Sequence, residues 1–409
     1  MLSHSTIPFS YNMMAKPSGS LCNLHCDYCY YCDKQTAGQN GELVMKDEIL
    51  EKFIKQYIQS QTSPVVVFNW QGGEALLAGQ VFYEKALALQ QKYAGKKRIE
   101  NTMQTNGTLI DESWCSFFRE NEFLVGVSVD GPREIHDFHR SDSMDNGSWE
   151  RTMKGISLLR DYGIPFNTLT AVTSHSMMYP LEIYSFLKGL GSDFQQYSPV
   201  VERFSPGGGN VADSLAPPEA KGDLEITPWS VTPERYGTFL NTIFDEWVRN
   251  DVGEVFVQHF EAALANWLGE DPGLCLFRST CGTALMIERN GDVYSCDHYA
   301  FPSYIRGNIL ESSLKSLVHS ESQQKFGLSK FTRLPEYCRS CEYLFACYGE
   351  CPRNRFETTA EGVEGLNYLC PGLKKYFSHI APFMDYMAEQ IKLDKNPASI
   401  REIASGLLN

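Results

Sequence analysis

The 409-residue chain lacks an excess of positive charge, a long apolar run and any tandem or heptad repeat. Its formal net charge is −14, the wrong balance for holding a nucleic-acid backbone, although a local basic pocket is compatible with that total. No segment reaches the roughly 18 consecutive apolar residues of a membrane span. The opening MLSHSTIPFSYNMMAKPSGS has no basic stretch followed by an unbroken apolar run, as a secretory signal would. These absences predict a cytoplasmic protein with neither nucleic acid nor membrane as partner. In a reducing compartment the 13 cysteines are not expected to pair as disulfides and point to metal or cluster ligation. The middle of the chain is nearly free of them. Four lie in 22–32, one is Cys115, and eight lie in 275–370. Two cysteine-rich ends around a cysteine-poor body suggest two cofactor regions.

The first half alternates β-rich runs with helical patterns. Strands are predicted at 10–16, 65–70, 99–104, 123–129, 165–172 and 193–198, with helices near 47–60, 81–94, 111–121, 149–162 and 179–190. Repeated strand–helix units imply a parallel sheet with right-handed crossovers. About six units fall short of the eight that close a barrel. The expected fold class is therefore α/β, an open, partial (β/α)6 barrel followed by a cysteine-rich C-terminal domain. Residues 202–230, with Pro206-Gly-Gly-Gly-Asn210 and Pro217-Pro218, read as a long loop or insertion. Helices are expected at 233–250 and 256–268, their aromatic and aliphatic stripes serving core packing. The stretch 275–370 reads as irregular, and 371–392 as a helix interrupted at Pro382. The expected division is 1–250 for the barrel and 251–409 for the cysteine-rich unit with its C-terminal helix.

In a parallel barrel, ligands gather at the carboxyl ends of the strands. The first predicted strand leads into Cys22-Asn-Leu-His-Cys26-Asp-Tyr-Cys29-Tyr-Tyr-Cys32, the second into Gln71-Gly72-Gly73-Glu74, the third into Thr105-Asn106-Gly107, and the fourth into Ser128-Val-Asp130-Gly131. Each dipeptide alone reads as an ordinary turn; together they define one face. Spacing alone leaves open whether four thiols close a site or three leave one position vacant. It also leaves Cys29-x2-Cys32 open as a zinc or redox pair.

Cys22-x3-Cys26-x2-Cys29, with Tyr28 before the third cysteine and Gly-Gly-Glu after the second strand, resembles the signature of the radical S-adenosylmethionine enzymes over roughly residues 8–200. The resemblance implies that three thiolates hold three irons of a 4Fe–4S cluster. The fourth iron is left for the amino and carboxylate groups of S-adenosylmethionine. It further implies that Tyr28 lies along the adenine and that Gly73 meets the methionyl amino group. Ser128 and Arg140 would contact the ribose and the carboxylate, and the Val201 backbone the adenine. Cys32 is then spare, as is Cys115.

The distal cysteines run Cys275-x5-Cys281-x14-Cys296, then Cys338-x2-Cys341-x5-Cys347-x3-Cys351-x18-Cys370. Between Cys281 and Cys296, Asn290-Gly291 signals a type I′ hairpin that returns one cysteine towards the other. On spacing alone, paired structural zinc sites are equally open. The pattern resembles the SPASM-type extension of radical enzymes that modify peptides and proteins. That resemblance implies one auxiliary 4Fe–4S cluster on Cys275, Cys281, Cys296 and Cys351, and another on Cys338, Cys341, Cys347 and Cys370.

Gln104-Thr-Asn-Gly-Thr-Leu-Ile-Asp-Glu-Ser-Trp114, Phe123-Leu-Val-Gly-Val-Ser-Val-Asp-Gly-Pro132 and Tyr294-Ser-Cys-Asp-His-Tyr299 are similar to the anaerobic sulfatase-maturating enzymes nearly end to end. The implied reaction converts a cysteine or serine of an unfolded sulfatase segment, in a Cys/Ser-x-Pro-x-Arg motif, to Cα-formylglycine. A 5′-deoxyadenosyl radical, made with an electron from an external donor, would take hydrogen from the substrate Cβ. Asp297 matches the family's proton acceptor, and Gln71 and Tyr31 are candidates to face the peptide. The alternatives are a SPASM enzyme forming a thioether or carbon–carbon crosslink, and a zinc-stabilised binding protein without catalysis.

Overall fold

The computed structural model describes residues 10–31, 43–207, 211 and 214–408. In chain order it runs β1 (Asn12–Lys16), α1 (Asp47–Ser60), β2 (Val65–Trp70), α2 (Gln80–Tyr93), β3 (Arg98–Thr105), α3 (Glu112–Glu120), β4 (Leu124–Ser128), the single turn α4 (Arg133–His136), α5 (Trp149–Asp161), β5 (Phe166–Val172), α6 (Pro180–Gly189) and β6 (Phe194–Pro199). Then come β7 (Arg203–Phe204), β8 (Glu225–Ile226), α7 (Pro233–Asn250), β9 (Phe256–Val257), α8 (Gln258–Leu268), β10 (Ala284–Glu288), β11 (Asp292–Tyr294) and β12 (Ile305–Asn308). The chain ends with α9 (Leu314–Val318), α10 (Glu321–Thr332), α11 (Glu336–Arg339), α12 (Leu344–Cys347), β13 (Glu357–Thr358), β14 (Glu364–Leu366), α13 (Cys370–Lys392) and α14 (Ile400–Leu407).

Strands β1 to β6 lie side by side in sequence order and pair in parallel. They form a partial (β/α)6 barrel. The local reason is visible in β2. Val66, Phe68 and Trp70 alternate with half-buried Val65, Val67 and Asn69, the period of two that separates the faces of a strand. The buried face packs on helices: Phe53 of α1 meets Phe68 and Trp70, and Tyr83 of α2 meets Trp70. The other face is polar. Thr102 donates to Asn69, and Gln104 to Ser128. Helix α3 starts where the Asp111 carboxylate accepts Trp114 N–H at 2.8 Å, an N-cap contribution of about 1 kcal/mol.

Three expectations need correction. Residues 275–370 are more regular than foreseen: β10 pairs in parallel with β1, and β11 and β12 continue that edge; ahead of them, the first two residues of the helix expected at 256–268 form β9, which joins β6. Among the described residues the sheet therefore has ten strands, ordered β12-β11-β10-β1-β2-β3-β4-β5-β6-β9. The β10–β11 connection is not a type I′ turn. Of its central residues only Gly291 takes a positive φ (90°), and its N–H closes the loop onto Glu288 O at 2.9 Å. A type I′ turn needs both central residues there. Finally, α13 continues through Pro382. Proline inside a helix removes one backbone hydrogen bond and costs about 3 kcal/mol. Burial of Tyr376, Phe377, Ile380, Phe383, Met384 and Met387 on that helix offsets this. Residues 202–230 contain the short β7–β8 pair, antiparallel. No helix among the described residues is long and apolar enough to cross a membrane.

Candidate active site

The loop after β1 carries Cys22, Cys26 and Cys29. Cys22 Sγ accepts Leu24 N–H at 3.4 Å and the Asn106 amide at 3.8 Å. Burial pushes the Cys22 thiol up to about 11, and Cys29 adds to this. Cys26 is raised by burial, with Cys29 and Cys22 contributing. Three thiols thus crowd one another at the mouth of the barrel. Cys32 lies outside the described residues. Cys115 is buried in the core on α3, away from any other cysteine in the chain order and topology.

Gly73 is required beneath this loop. A Cβ there would stand 2.3 Å from Leu21 O and 2.6 Å from Ser20 O. The close approach lets Gly73 N–H reach Gly19 O and Glu74 N–H reach Leu21 O, both at 2.8 Å. The Glu74 side chain turns inward and accepts Leu76 N–H (2.9 Å), Thr105 Oγ1–H (2.8 Å) and Asn106 N–H (2.8 Å). Burial raises its proton affinity in spite of these donors. It ties the ends of β2 and β3 to the cysteine loop.

Across the mouth, Tyr28 donates to Asp130 Oδ2 at 2.6 Å, and Arg140 reaches Asp130 through Nε at 2.8 Å and Nη2 at 3.3 Å. The Arg140 guanidinium also lies 5.5 Å from the Tyr28 ring centre. Burial alone would raise Asp130, but Arg140 and His136 hold its carboxyl below the usual range. Arg140 therefore has a protein carboxylate as partner and fixes Tyr28 through it. Ser128 Oγ accepts the Gln104 amide at 3.1 Å. Val201 is buried just beyond β6. The Gln71 side-chain amide contacts the Met14 thioether. Tyr28, Gln71, Asp130, Arg140 and Val201 stand past the carboxyl ends of parallel strands, and Ser128 is the last residue of β4.

Asp297 closes the opposite wall. It follows Cys296 on a short 3-10 turn, Asp297–Tyr299. Its Oδ1 lies 2.6 Å from Lys16 Nζ, an ion pair that falls short of hydrogen-bond alignment, and Tyr30 donates to its Oδ2. Burial opposes ionisation here, yet Lys16 and His298 hold the carboxyl down at about 2. Arg353 lies 5.3 Å over the Tyr30 ring and pairs with buried Glu202. Tyr31 donates to Glu288, with Lys16 4.6 Å over its ring. Sequence reasoning singled out Asp297 and Tyr31 but missed Lys16, Tyr30, Glu202 and Arg353. A lysine closing the apolar strand NMMAK was the one available signal.

The distal thiols fall into two sets. Cys296, raised by burial, also feels Cys275, Cys351 and Cys281, and Cys351 feels Cys275 and Cys281. Cys347, raised by burial to about 12, feels Cys370 and Cys338, and Cys370 feels Cys338 and Cys341. Cys338, Cys341, Cys347 and Cys370 line one cavity, closed on its apolar side by Tyr337, Leu344 and Leu373. Among the described residues no three His, Cys, Asp or Glu groups close around a single-ion position. A cavity walled by one buried thiol, Cys338, and three half-buried ones fits a cationic inorganic core, since clustered thiolates need positive charge to stay ionised away from water.

Residues 17–187 match the family model of the radical SAM superfamily, and residues 275–342 that of SPASM, an iron–sulfur cluster-binding domain. The chain is 49% identical over 390 residues to a serine-type anaerobic sulfatase-maturating enzyme of Bacteroides thetaiotaomicron, covering 95% of this chain and 94% of that one. It is 33% identical over 387 residues to a cysteine-type anaerobic sulfatase-maturating enzyme of Clostridium perfringens, covering 93% and 99%. It is similar to the solved structure of native anSMEcpe with bound AdoMet and Cp18Cys peptide, with a TM-score of 0.80 at 32% identity over 93% of this chain and 99% of that one. The chain belongs to the anaerobic sulfatase-maturating enzymes of the radical SAM superfamily.

Proposed function

We propose how this chain's residues divide the labour of the family's reaction, the oxidation of a cysteine or serine side chain in a sulfatase polypeptide to Cα-formylglycine. Its cofactors are S-adenosylmethionine and 4Fe–4S clusters, three in our reading. Cys22, Cys26 and Cys29 hold the first; Cys275, Cys281, Cys296 and Cys351 the second; Cys338, Cys341, Cys347 and Cys370 the third. When bound at the first set, the cluster and S-adenosylmethionine supply the 5′-deoxyadenosyl radical that takes hydrogen from the substrate Cβ. Tyr28, Gly73, Ser128, Arg140 and the Val201 backbone orient S-adenosylmethionine, Arg140 acting partly through Asp130.

One observation carries the assignment of the base: a buried, ionised Asp297 sits between the first cysteine loop, strand β1 and Cys296. A carboxylate held at about 2 is a weak base for a resting thiol or hydroxyl. Loss of hydrogen from Cβ makes the neighbouring thiol or hydroxyl far more acidic, so a weak but correctly placed acceptor suffices. Lys16 keeps Asp297 free of its proton until then, and the Tyr30 hydroxyl fixes its rotamer. Gln71 and Tyr31 face the peptide, which carries a Cys/Ser-x-Pro-x-Arg motif. An external donor supplies the electron. The division into a barrel (1–250) and a cluster-bearing unit (251–409) is proposed for chemistry rather than folding, since β10 pairs with β1 across it.

The test uses anaerobically purified enzyme. About twelve irons and twelve sulfides per chain are expected for three clusters. A peptide bearing Ser-x-Pro-x-Arg should lose two hydrogens to give the aldehyde, and one bearing Cys-x-Pro-x-Arg should lose two hydrogens to give a thioaldehyde that water hydrolyses to the same aldehyde with release of hydrogen sulfide; hydrazine traps the aldehyde. Asp297→Asn should keep the iron and lose most of that product. A thioether or carbon–carbon crosslink in place of the aldehyde would overturn the assignment, and a normal yield from Asp297→Asn would remove this residue from the mechanism.

A further inference from the structure

A cavity of about 870 Å³ lies outside the barrel mouth. Segment 218–222, helix α10 and residues 352–358 form its walls, and none of Tyr28, Tyr30, Gln71, Ser128, Arg140 or Val201 lines it. Six cations do: Arg203, Lys221, Arg306, Lys325, Arg333 and Arg355. Only two carboxylates accompany them, and both are engaged. Glu219 accepts Ser303 at 2.6 Å and Tyr304 at 2.8 Å, and Glu364 lies 3.6 Å from Lys221. Among the described residues no carboxylate comes within ion-pair distance of Arg203, Arg306, Arg333 or Arg355. Burial depresses the Arg203 guanidinium, and Arg353 adds like-charge repulsion. Lys325 pairs with Glu321 at 2.6 Å and Arg355 is spent on backbone carbonyls, which leaves Arg203, Arg306 and Arg333 as the cations without a carboxylate among the described residues; in a chain of net charge −14, this concentration of positive charge favours an anionic partner.

The cavity also borders a cysteine set. Tyr299 lines it three residues after Cys296, and Pro352 directly follows Cys351. The Tyr299 phenol is raised by burial first, then by Cys351, Cys281 and Cys296. On the same 3-10 turn Asp297 faces Lys16 and Tyr30 while Tyr299 faces the cavity. Tyr299 and Pro352 thus link the cavity wall to the segments bearing the thiols that hold the second cluster in the reading above.

We propose that this cavity docks a small acidic one-electron carrier protein, a protruding acidic loop of which enters between segment 218–222 and α10. The proposal rests on the radical reading, since only that chemistry needs an outside electron. The reduced carrier is oxidised by one electron. That electron is the one consumed when the sulfonium–carbon bond of S-adenosylmethionine breaks reductively. No proton moves in the transfer itself. Charge complementarity favours a carrier over the substrate segment, whose motif carries an arginine that the six cations would repel.

The experiment uses the full-length, cluster-loaded enzyme and flavodoxin as the acidic carrier. Lys325→Glu combined with Arg333→Glu alters two exposed side chains outside the proposed catalytic and ligand sets. Calorimetric titration should show at least a tenfold weaker Kd for oxidised flavodoxin, and wild-type binding should weaken steeply between 50 and 200 mM salt. Formylglycine formation driven by reduced flavodoxin should fall by a similar factor at subsaturating carrier. The dithionite-driven rate and iron content should not change. An unchanged Kd overturns the proposal. So does a higher KM for the substrate peptide under dithionite with carrier binding intact, which would make the cavity a peptide site. Absence of product from the wild-type enzyme under dithionite would overturn the proposed function instead, and the calorimetric result would still decide the docking.

Discussion

Tyr30 follows Cys29, a proposed cluster ligand, in sequence, yet its hydroxyl reaches 267 positions ahead to Asp297. A hydrogen bond to a charged acceptor contributes about 1.5–3 kcal/mol. Tyr30→Phe should therefore slow formylglycine formation on the order of tenfold while iron content is retained; a rate equal to wild type would show that Lys16 alone fixes the carboxylate. Cys29 and Cys32 offer a second contrast. Cys29→Ala should abolish cleavage of S-adenosylmethionine, whereas Cys32→Ala should leave it intact, measured as 5′-deoxyadenosine released. The cysteine-rich regions were legible because their spacing is local, and the resemblance to the family then singled out the eleven proposed ligands. Lys16, Tyr30 and Arg353 were not, because nothing in their own neighbourhoods distinguishes a site residue from an ordinary polar one.

At the scale of the element, the cysteine loop depends on β2. Gly73 leaves room for Leu21 O, and Glu74 anchors the loop to β3. Gly73→Ala would drive a methyl group into backbone carbonyls that cannot yield as a flexible side chain could. A loss of about 1–3 kcal/mol is expected, with reduced iron at the first cluster and a lower Tm. Normal iron with normal Tm would show that the loop has slack. The six parallel strands were readable because alternation of period two is written into runs such as VVVFNW. Pairing of β10 with β1 was not readable, since hydrogen bonding between strands more than 250 residues apart leaves no local trace. Helix α13 shows the opposite failure. Pro382 is a genuine local break signal, overridden by burial against α7 and α8.

For the whole molecule, two buried histidines set an acid limit. Burial holds His136 at about 3 and His259 at about 4. His136 Nδ1 accepts Asp130 N–H at 3.3 Å, so its neutral form is the one the fold uses. Each has a folded proton affinity below the usual value of 6.5, so below that pH the unfolded chain binds more protons and stability falls with falling pH. The slope reaches about 1.4 kcal/mol per pH unit for each histidine. Denaturation midpoints of wild type and His259→Gln should diverge between pH 6.5 and about 4, the variant losing less; parallel curves would mean that His259 titrates normally.

The sequence by itself determined the two cysteine-rich regions, the order of the parallel strands and the face on which their polar ends collect. Each follows from spacing or period within a few dozen residues, whereas the division of the distal eight cysteines into two sets is what the family resemblance implies. The tertiary structure alone decided that β1 lies against β10, which brings Lys16 to Asp297 and Tyr31 to Glu288. It also decided that segment 218–222 faces α10 across a basic cavity. These are contacts between distant segments, selected by burial and charge in the packed molecule, and no local pattern encodes them.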